Sequence, residues 1–447
     1  MELAGKLVVV VGMARSGIAA ARLLTEKGAQ VRAVDEHPNS EAAGLPVEPQ
    51  TAAAFEACDL VVLSPGVPAD LALLEPVRAR GVPVIGELEL ASWFLQGPTI
   101  GITGANGKTT TTALTGHILK ASNVACQVGG NIGTPAAAMV ETSLPEQWNV
   151  LELSSFQLET IQAFHARIGA ALNVTPDHLD RHHSFENYVN AKARLFETQQ
   201  AGDYAVLNAD DPACVALAER TAATPVWFSS TRTLSSGLWV EEGQIRYDGE
   251  ALMPAAEVPL RGRHNLENVM AAAAAAHLAG AGLEQISAAV CTFPGVEHRL
   301  QLIRELRGVA YYNDSKATNV DATLKAMDAF DGGLWIILGG KDKDSDYRPL
   351  RKPLHEKARG VLLIGSAAKI IASQLDGAAP LIHCGDLGTA VQLAHDAARP
   401  RETVLLAPAC ASFDQFQNFE HRGRVFTELV RGLASRVNHP FRGGRRY

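Results

Sequence analysis

The sequence lacks closely spaced cysteines, long apolar runs and an excess of positive charge. Its six cysteines are scattered and form no C-x-x-C pair, so we expect reduced thiols in a cytoplasmic protein rather than a disulfide framework or a zinc site. No segment holds about 18 uninterrupted apolar residues, and we therefore expect no membrane span. The start, MELAGKLVVVVG, lacks a basic n-region and predicts a strand instead of a signal peptide. The formal net charge of −8 argues against general nucleic-acid binding.

The chain instead contains short apolar strands that alternate with helical segments. They fall into three blocks, residues 1–92, 93–296 and 297–447, in agreement with the roughly three domains expected for this length. Such alternation predicts parallel sheets, so we expect an α/β fold with three domains. In the second block, LWVEEGQIRYDG predicts a hairpin that turns at Glu242-Gly243, and HNLENVMAAAAAAHLAG predicts a long buried helix.

A glycine-rich loop, GANGKTT, follows the strand TIGIT. Gly104 and Gly107 let backbone N–H groups wrap around phosphate oxygens, and the following helix adds partial positive charge. Lys108 would neutralise β- and γ-phosphate oxygens, and the hydroxyl of Thr109 or Thr110 would hold Mg²⁺. The alternative is a glycine turn that only caps a helix. The G-K-T sequence after a buried strand favours the nucleotide site, although its spacing departs from G-x-x-x-x-G-K-[ST].

The N-terminal block opens with a second glycine turn, GMARSG, which contains Arg15 and Ser16. It matches the dinucleotide pattern G-x-G-x-x-G only if Ala14 replaces the middle glycine. Asp35 closes the second strand about 20 residues later, where a ribose-binding acid would lie. A tight strand–helix turn without a ligand is an equally good interpretation. Under both interpretations the helix N-terminus can take a diphosphate.

Ionisable side chains follow the strands of the central block. Glu152 ends the strand in NVLELSS, which places a carboxylate near a bound Mg²⁺; a helix-capping acid is the alternative. Asp177 and His178 follow the strand IGAALNV, at an edge where open sheets bind ligands, although a lone histidine there is more often structural. Lys192 lies beside the apolar stripe of the helix SFENYVNAKARLF, and most helical lysines are simply solvated.

In the third block, polar residues follow three predicted strands, in YYNDSKATN, LGGKDKDSD and APACASFDQF. Asp314, Lys316, Lys343 and Ser412 would converge on one edge if these strands are neighbours. Each alone could be an ordinary loop residue, but together they indicate a small charged substrate.

These segments together resemble the Mur ligases of cell-wall synthesis. The resemblance covers essentially the whole chain in order and rests on GITGANGKTT, LELSSFQLE, TPDHLDRH, NAKARLF, RGRHNLENVMAA, EHRL, NDSKATN and PACASFDQFQNFEHRG. It implies a Rossmann-like N-terminal domain for a UDP substrate, a central P-loop ATPase domain with a small antiparallel sheet, and a Rossmann-like C-terminal domain for an amino acid.

The third-block motifs are the part of the resemblance most specific to the family member that adds D-glutamate. The resemblance therefore implies an ATP-dependent amide ligase that joins D-glutamate to UDP-N-acetylmuramoyl-L-alanine through an acyl phosphate. It also implies ATP and two Mg²⁺ ions as cofactors, and we expect a monomer in the cytoplasm. GANGKTT would then hold ATP, and GMARSG would hold the uridine diphosphate rather than a dinucleotide.

The resemblance also implies a role for each matching residue. ATP would be bound by Gly104, Asn106, Gly107, Lys108, Thr109, Thr110, Asn268, Arg299 and Asp314. The UDP substrate would be bound by Arg15, Ser16, Asp35, Gly66, Asn131 and Ser154. D-Glutamate would be bound by Thr318, Lys343, Ser412 and Phe419. The metal ions would be held by Thr109, Glu152, His178 and a carbamylated Lys192. The catalytic residues would be Lys108, His178, Lys192, Arg299 and Lys316.

Three other functions compete with this hypothesis. A related amide ligase with another amino acid would be separated by amino-acid-dependent phosphate release. An NAD-dependent oxidoreductase would explain GMARSG and Asp35 but leaves the second glycine loop unexplained. A non-catalytic ATP-binding switch would bind ATP without multiple turnovers, and the combination of Glu152, His178 and Lys192 argues against it.

Overall fold

The computed structural model describes residues 2–38, 41–342 and 345–434. The backbone divides into two compact units, Met1–Pro294 and Gly295–Tyr447. The first unit contains two sheets and the second contains one. Over the ranges described, no helix combines the length and the apolar character that a bilayer crossing requires. The α/β class expected from the sequence is confirmed, whereas the domain boundaries drawn from the sequence stay predictions.

The first sheet is built on short runs of β-branched residues. Its strands are β1 (Leu7–Val11), β2 (Gln30–Asp35), β3 (Glu41–Ala42), β4 (Leu45–Pro49), β5 (Leu60–Leu63) and β6 (Val84–Gly86). Its helices are α1 (Arg15–Glu26), α2 (Glu75–Ala79) and α3 (Glu87–Ser92). The order is β3-β4-β2-β1-β5-β6, with an antiparallel pair only at β3–β4. The central strand LVVVV is apolar at every position because a parallel strand is covered on both faces.

The second sheet carries the glycine-rich loop. Its strands are β7 (Thr99–Thr103), β8 (Cys126–Gly130), β9 (Trp148–Glu152), β10 (Ile168–Ala171), β11 (Tyr204–Asn208), β12 (Thr224–Ser229), β13 (Leu238–Glu241), β14 (Gln244–Tyr247) and β15 (Glu250–Pro254). Its helices are α4 (Lys108–Ala121), α5 (Ala136–Met139), α6 (Ser155–Leu158), α7 (Leu179–His182), α8 (Phe185–Glu197), α9 (Pro212–Leu217), α10 (Arg263–Leu278) and α11 (Leu283–Cys291). The order is β15-β14-β13-β12-β11-β10-β7-β9-β8, so the strand before the loop lies inside the sheet.

The predicted hairpin and the predicted alanine-rich helix are both confirmed. Strands β13 and β14 pair antiparallel, and Glu242 and Gly243 between them have φ values of 50° and 72°, as a two-residue turn requires. The antiparallel strands extend the main sheet, because β13 pairs in parallel with β12. Helix α10 buries residues 268–276.

The third sheet forms the core of the second unit. Its strands are β16 (Gln301–Leu306), β17 (Val309–Asn313), β18 (Leu334–Gly339), β19 (Ala358–Ile364), β20 (Leu381–Gly385) and β21 (Thr403–Leu406). Its helices are α12 (Val320–Asp328), α13 (Arg351–Lys357), α14 (Ala368–Leu375), α15 (Leu387–Ala397) and α16 (Phe419–Gly432). The order is β16-β17-β21-β18-β19-β20, and only β16–β17 is antiparallel. The three strands that precede the polar segments, β17, β21 and β18, are therefore parallel neighbours.

Helix α3 fixes the first sheet to the second within the first unit. It packs with α1 against α5. The Glu89 carboxylate, which is buried, accepts hydrogen bonds from the backbone N–H groups of Gln162, Ala163 and Phe164 at 2.7–3.1 Å. A buried carboxylate is tolerated when its lone pairs are occupied in this way. The two glycine turns are consequently held in one packed body.

Candidate active site

The glycine-rich loop has the backbone geometry of an anion cradle. Gly107 has a φ of 86°, and an added Cβ would lie 2.1 Å from Oδ1 of Asn268. Gly104 also has a positive φ, 156°. Helix α4 begins at Lys108 without a side-chain cap, and the partial positive charge of a helix N-terminus favours an anionic ligand. Asn106 within the loop is held in place, because its N–H donates to Oδ1 of Asn173 at 2.8 Å.

Two lysines meet at this loop. Nζ of Lys108 donates to the carbonyl oxygens of Gly104 and Ala105 at 2.8 and 3.0 Å. Nζ of Lys192 donates to the same Gly104 oxygen at 2.9 Å and to Oγ1 of Thr103 at 3.4 Å. The Lys192 side chain is 1% exposed, which excludes the solvated alternative. Burial, and secondarily the charge of Lys108, lowers the pKa of Lys192 well below its usual value.

Glu152 supplies a buried carboxylate next to this loop. It ends β9, where it pairs with Ile102 of β7, and it is 2% exposed. Oε1 accepts from Nδ2 of Asn131 at 2.9 Å, whereas Oε2 has no hydrogen-bond partner among the described residues. A buried carboxylate oxygen without a partner is costly unless a cation occupies the site. The free carboxylate oxygen of Glu152 is therefore a ligand that fits Mg²⁺.

The described side chains offer few ligands of their own to such an ion. Over the residues that the structure describes, no three His, Cys, Asp or Glu side chains cluster as metal ligands. Thr109 and Thr110 are both buried in the first turn of α4. An ion here would draw its remaining oxygens from water and phosphate groups, as Mg²⁺ commonly does.

His178 lies on the loop that follows β10. It has a φ of 51°, and its side chain is 50% exposed, with Nε2 3.6 Å from Oδ2 of Asp177. Its ring packs against that of Phe156 at a centroid distance of 4.8 Å. A non-glycine residue at positive φ persists only where its surroundings hold it. The exposed half of the ring can accept a ligand.

The N-terminal glycine turn is sterically tight. An added Cβ at Gly17 would lie 1.9 Å from the Gly12 carbonyl oxygen, and one at Gly12 would lie 2.7 Å from Cγ2 of Val67. Helix α1 begins at Arg15 without a side-chain cap and without an acidic residue in its first turn. Arg15 is exposed and Ser16 is partly buried. The turn thus offers an open helix N-terminus to an anion.

Asp35 has a structural role in this turn. Its Oδ2 accepts from the N–H of Met13 at 2.6 Å, and its Oδ1 accepts from the N–H of His37 at 2.9 Å. Ser154 is similarly occupied, because its hydroxyl and the Gln157 side chain form a capping box at the start of α6. Both residues shape the loops on which they lie, whether or not they also touch a ligand.

Asp314 is the most perturbed acid in the second unit's candidate site. It is 9% exposed, and its Oδ1 accepts from the N–H of Leu300 at 3.2 Å. Burial raises the pKa of Asp314 to about 7, against opposing effects of the Leu300 N–H and the charge of Arg299. Arg299 is thus close enough to Asp314 to influence its charge.

The candidate amino-acid pocket is organised by an arginine that sequence reasoning missed. Arg422 is fully buried, and its guanidinium donates to the hydroxyl and carbonyl oxygens of Ser315 and to the carbonyl oxygens of Cys410 and Ala411 at 2.9–3.3 Å. These bonds hold together the segments that carry Lys316 and Ser412. A signal was present, since Arg422 lies four residues before a buried Phe and eight before a buried Val on α16.

Three of the four predicted D-glutamate contacts, Thr318, Ser412 and Phe419, lie on or close to these segments. Nζ of Lys316 lies 4.0 Å from the centroid of the Phe419 ring, a cation–π distance. Thr318 is partly buried and Ser412 is buried. Lys343 falls outside the described residues.

Replacing Asp314 with asparagine should change the pH dependence of stability. Because the raised pKa means that folded Asp314 holds its proton more tightly than the unfolded chain does, its stabilising contribution is present below about pH 4 and is lost as the pH approaches about 7. The difference in Tm between Asp314→Asn and the wild type should therefore shift in favour of the variant by roughly 5 °C between pH 4 and pH 7. Thermal unfolding without ligands measures it, with the exposed Asp376→Asn as control. A pH-independent Tm difference would contradict the raised pKa.

Comparisons with protein families cover most of the chain. Residues 6–86 match the Mur ligase MurD-like N-terminal domain. Residues 102–276 match the Mur ligase middle domain, and residues 298–410 match the domain described as Mur ligase, glutamate ligase domain. The three matches follow one another in the order of the three sheets.

Curated proteins named UDP-N-acetylmuramoylalanine–D-glutamate ligase are similar over nearly the full length. One from Solibacter usitatus (strain Ellin6076) is 60% identical over 438 residues, which cover 97% of this chain and 99% of that protein. One from Acidobacterium capsulatum is 51% identical over 458 residues and covers 98% of this chain and 99% of that protein.

Solved structures support the fold. UDP-N-acetylmuramate–alanine ligase from Thermotoga maritima aligns with a TM-score of 0.60 at 19% identity, over 95% of this chain and 99% of that one. MurF ligase from the same organism, in complex with ADP, aligns with a TM-score of 0.60 at 17% identity, over 96% and 95%. The sheet architecture is therefore shared at low sequence identity.

Proposed function

This chain belongs to the Mur ligase family, and we propose that it joins D-glutamate to UDP-N-acetylmuramoyl-L-alanine with cleavage of ATP to ADP and phosphate, in peptidoglycan precursor synthesis. The observation that carries the proposal is 60% identity over 97% of the chain to a relative named for this activity. The loop at Gly107 and Lys108 supports it with the backbone of a nucleotide cradle.

The reaction begins with attack of the L-alanyl carboxylate on the γ-phosphoryl group of ATP. The loop N–H groups and the Lys108 ammonium offset the charge that develops on the transferred group, so catalysis is mainly positioning and electrostatics. The D-glutamate amine then attacks the carbonyl carbon of the acyl phosphate, and the tetrahedral intermediate expels phosphate and loses a proton from nitrogen to give the amide. His178 orients the nucleophile, and Asn106, Asn268, Arg299 and Asp314 serve as ATP contacts.

Two Mg²⁺ ions would be held by Thr109, Glu152, His178 and modified Lys192. When bound, they supply electrostatic stabilisation of the phosphate oxygens. The unpaired Oε2 of Glu152 supports this assignment. Arg15, Ser16, Asp35, Gly66, Asn131 and Ser154 are the proposed UDP-substrate contacts, and Thr318, Lys343, Ser412 and Phe419 are those for D-glutamate.

Lys192 acts as a carbamate in this proposal. Its lowered pKa leaves more of the side chain as the neutral amine, which is the form that adds CO₂. The amine loses a proton on forming the new N–C bond, and the product is a carboxylate-like anion. An ammonium group at this position would be repelled by two nearby cations, whereas the carbamate is a metal ligand. We further propose a monomeric enzyme in the cytoplasm.

The choice of amino acid tests the proposed function. We expect ADP release to require both UDP-N-acetylmuramoyl-L-alanine and D-glutamate, and to fall to background when L-glutamate replaces D-glutamate. A coupled ADP assay measures it, with other D- and L-amino acids added one at a time. Turnover with a different amino acid would favour the related amide ligase. ATP binding without turnover would favour the alternative of a non-catalytic ATP-binding switch.

A further inference from the structure

One arginine connects the N-terminal sheet to the candidate metal loop. Arg181 lies at the end of α7, three residues after His178, and its side chain is 13% exposed. Its Nη2 donates to the Val67 carbonyl oxygen at 2.8 Å, and its Nη1 lies 3.5 Å from that of Gly66. It also forms an ion pair with Glu159, which is 17% exposed. The guanidinium is thus held by the loop after β5 of the N-terminal sheet on one side and by the residue after α6 on the other.

The contacts continue from Arg181 toward both candidate ligand sites. On the N-terminal side, Val67 lies against Gly12 of the first glycine turn, as the 2.7 Å approach to an added Cβ shows. On the central side, the guanidinium lies 4.9 Å from the centroid of the Phe156 ring, and that ring packs against His178. The path from the glycine turn to His178 therefore consists of packed, partly or wholly buried groups.

The arginine geometry suits this connection. A guanidinium has five donors in a planar fork and can bind two carbonyl oxygens and a carboxylate while its face lies on an aromatic ring. A lysine at this position could supply the charge but not the fork.

We infer that Arg181 is a positioning residue that couples the N-terminal glycine turn to the His178 loop, so that binding of the sugar nucleotide and binding of Mg²⁺ with adenine nucleotide strengthen each other. The inference rests on the proposed function for the identity of the ligands. Coupling of this kind is reciprocal: each ligand changes the affinity of the other by the same factor. Arg181 itself need touch neither ligand.

Calorimetric binding tests the coupling without turnover. The affinity for UDP-N-acetylmuramoyl-L-alanine is measured with and without Mg²⁺ and ADP, for the full wild-type chain and for Arg181→Gln. We expect a wild-type gain in affinity of about tenfold, typical of coupled sites, and a loss of most of that gain in the variant. Arg181→Lys should be intermediate. A merely structural role would lower the Tm and leave the coupling factor unchanged.

Arg220 provides a matched control. It lines the same cavity of about 360 Å³ as Arg181 and forms an ion pair with Glu197. Its guanidinium donates to Asn190 on the central side, and within the described part of the chain it makes no hydrogen bond to residues 66–67. Arg220→Gln should retain the wild-type coupling factor. If Arg181→Gln does not fold, Glu159→Gln tests the same point, because Arg181 then loses its charged partner and the coupling factor should fall.

The outcomes separate the two proposals. Wild-type protein that does not bind the sugar nucleotide at all would overturn the proposed function. Wild-type protein that binds it and turns over, but shows no coupling, would overturn only the role of Arg181. Equal coupling in Arg181→Gln and Arg220→Gln would do the same.

Discussion

Substitution of Lys108 by alanine should reduce ADP release by roughly a thousandfold. The Lys108 ammonium is directed into the loop by the carbonyl oxygens of Gly104 and Ala105, where it is preorganised for the charge of a transferring phosphoryl group. Removal of one preorganised electrostatic contact of this kind costs about 10²–10³ in rate. The loss should appear in kcat as well as in kcat/KM, because the contact is stronger in the transition state than in the ground state.

Lys120→Ala is the control for this substitution. Lys120 lies in the last turn of the same helix and is exposed, so its removal changes the net charge equally without affecting the loop. We expect Lys120→Ala to turn over at near the wild-type rate. Both variants should keep the wild-type fold by circular dichroism and thermal unfolding. A near-normal rate in Lys108→Ala would refute the assignment of the loop to ATP.

Local patterns predicted the fold well because its strands are short, apolar and separated by glycine-containing turns and helices. The hairpin at Glu242-Gly243 and the loop between β7 and α4 are set by residues adjacent in sequence. The convergence of polar segments in the third block depended on strand order, which sequence spacing does not give. The structure supplies it, since β21 lies between β17 and β18.

The candidate site was less predictable where a side chain is defined by distant contacts. Arg422 and Arg181 both bind carbonyl oxygens of remote segments, and nothing in their neighbouring residues indicates which carbonyls these are. The sequence predicts a ribose-binding acid or a substrate contact at Asp35, and the structure adds that both of its carboxylate oxygens accept hydrogen bonds from backbone N–H groups. Buried polar groups must be paired somewhere, but only the tertiary structure identifies the partner.

Substitution of Lys192 should separate catalysis from stability. We expect Lys192→Ala to lose essentially all turnover and to recover part of it when short carboxylic acids are added, because a small carboxylate can occupy the space of the carbamate near the Mg²⁺ ions. Acetate and formate are the probes, and ethylamine is the control cation of similar size. Rescue by the amine, or none by the acids, would contradict the carbamate role.

Substitution of Lys192, which should abolish turnover, should instead increase the thermal stability of the protein without ligands. The substitution Lys192→Met keeps a side chain of similar length but removes the titratable amine. A lysine side chain that is 1% exposed destabilises the fold when it is charged, because burial of an unpaired charge is costly. Because the folded-state pKa is lowered, the wild type loses stability as the pH falls below the unfolded value of about 10.4. In CO₂-free buffer, the Tm of Lys192→Met should therefore exceed that of the wild type by more at pH 7 than at pH 10. If Lys192 destabilises the protein without ligands and is nevertheless required for turnover, then its presence at a buried position is explained by its role in catalysis and not by packing.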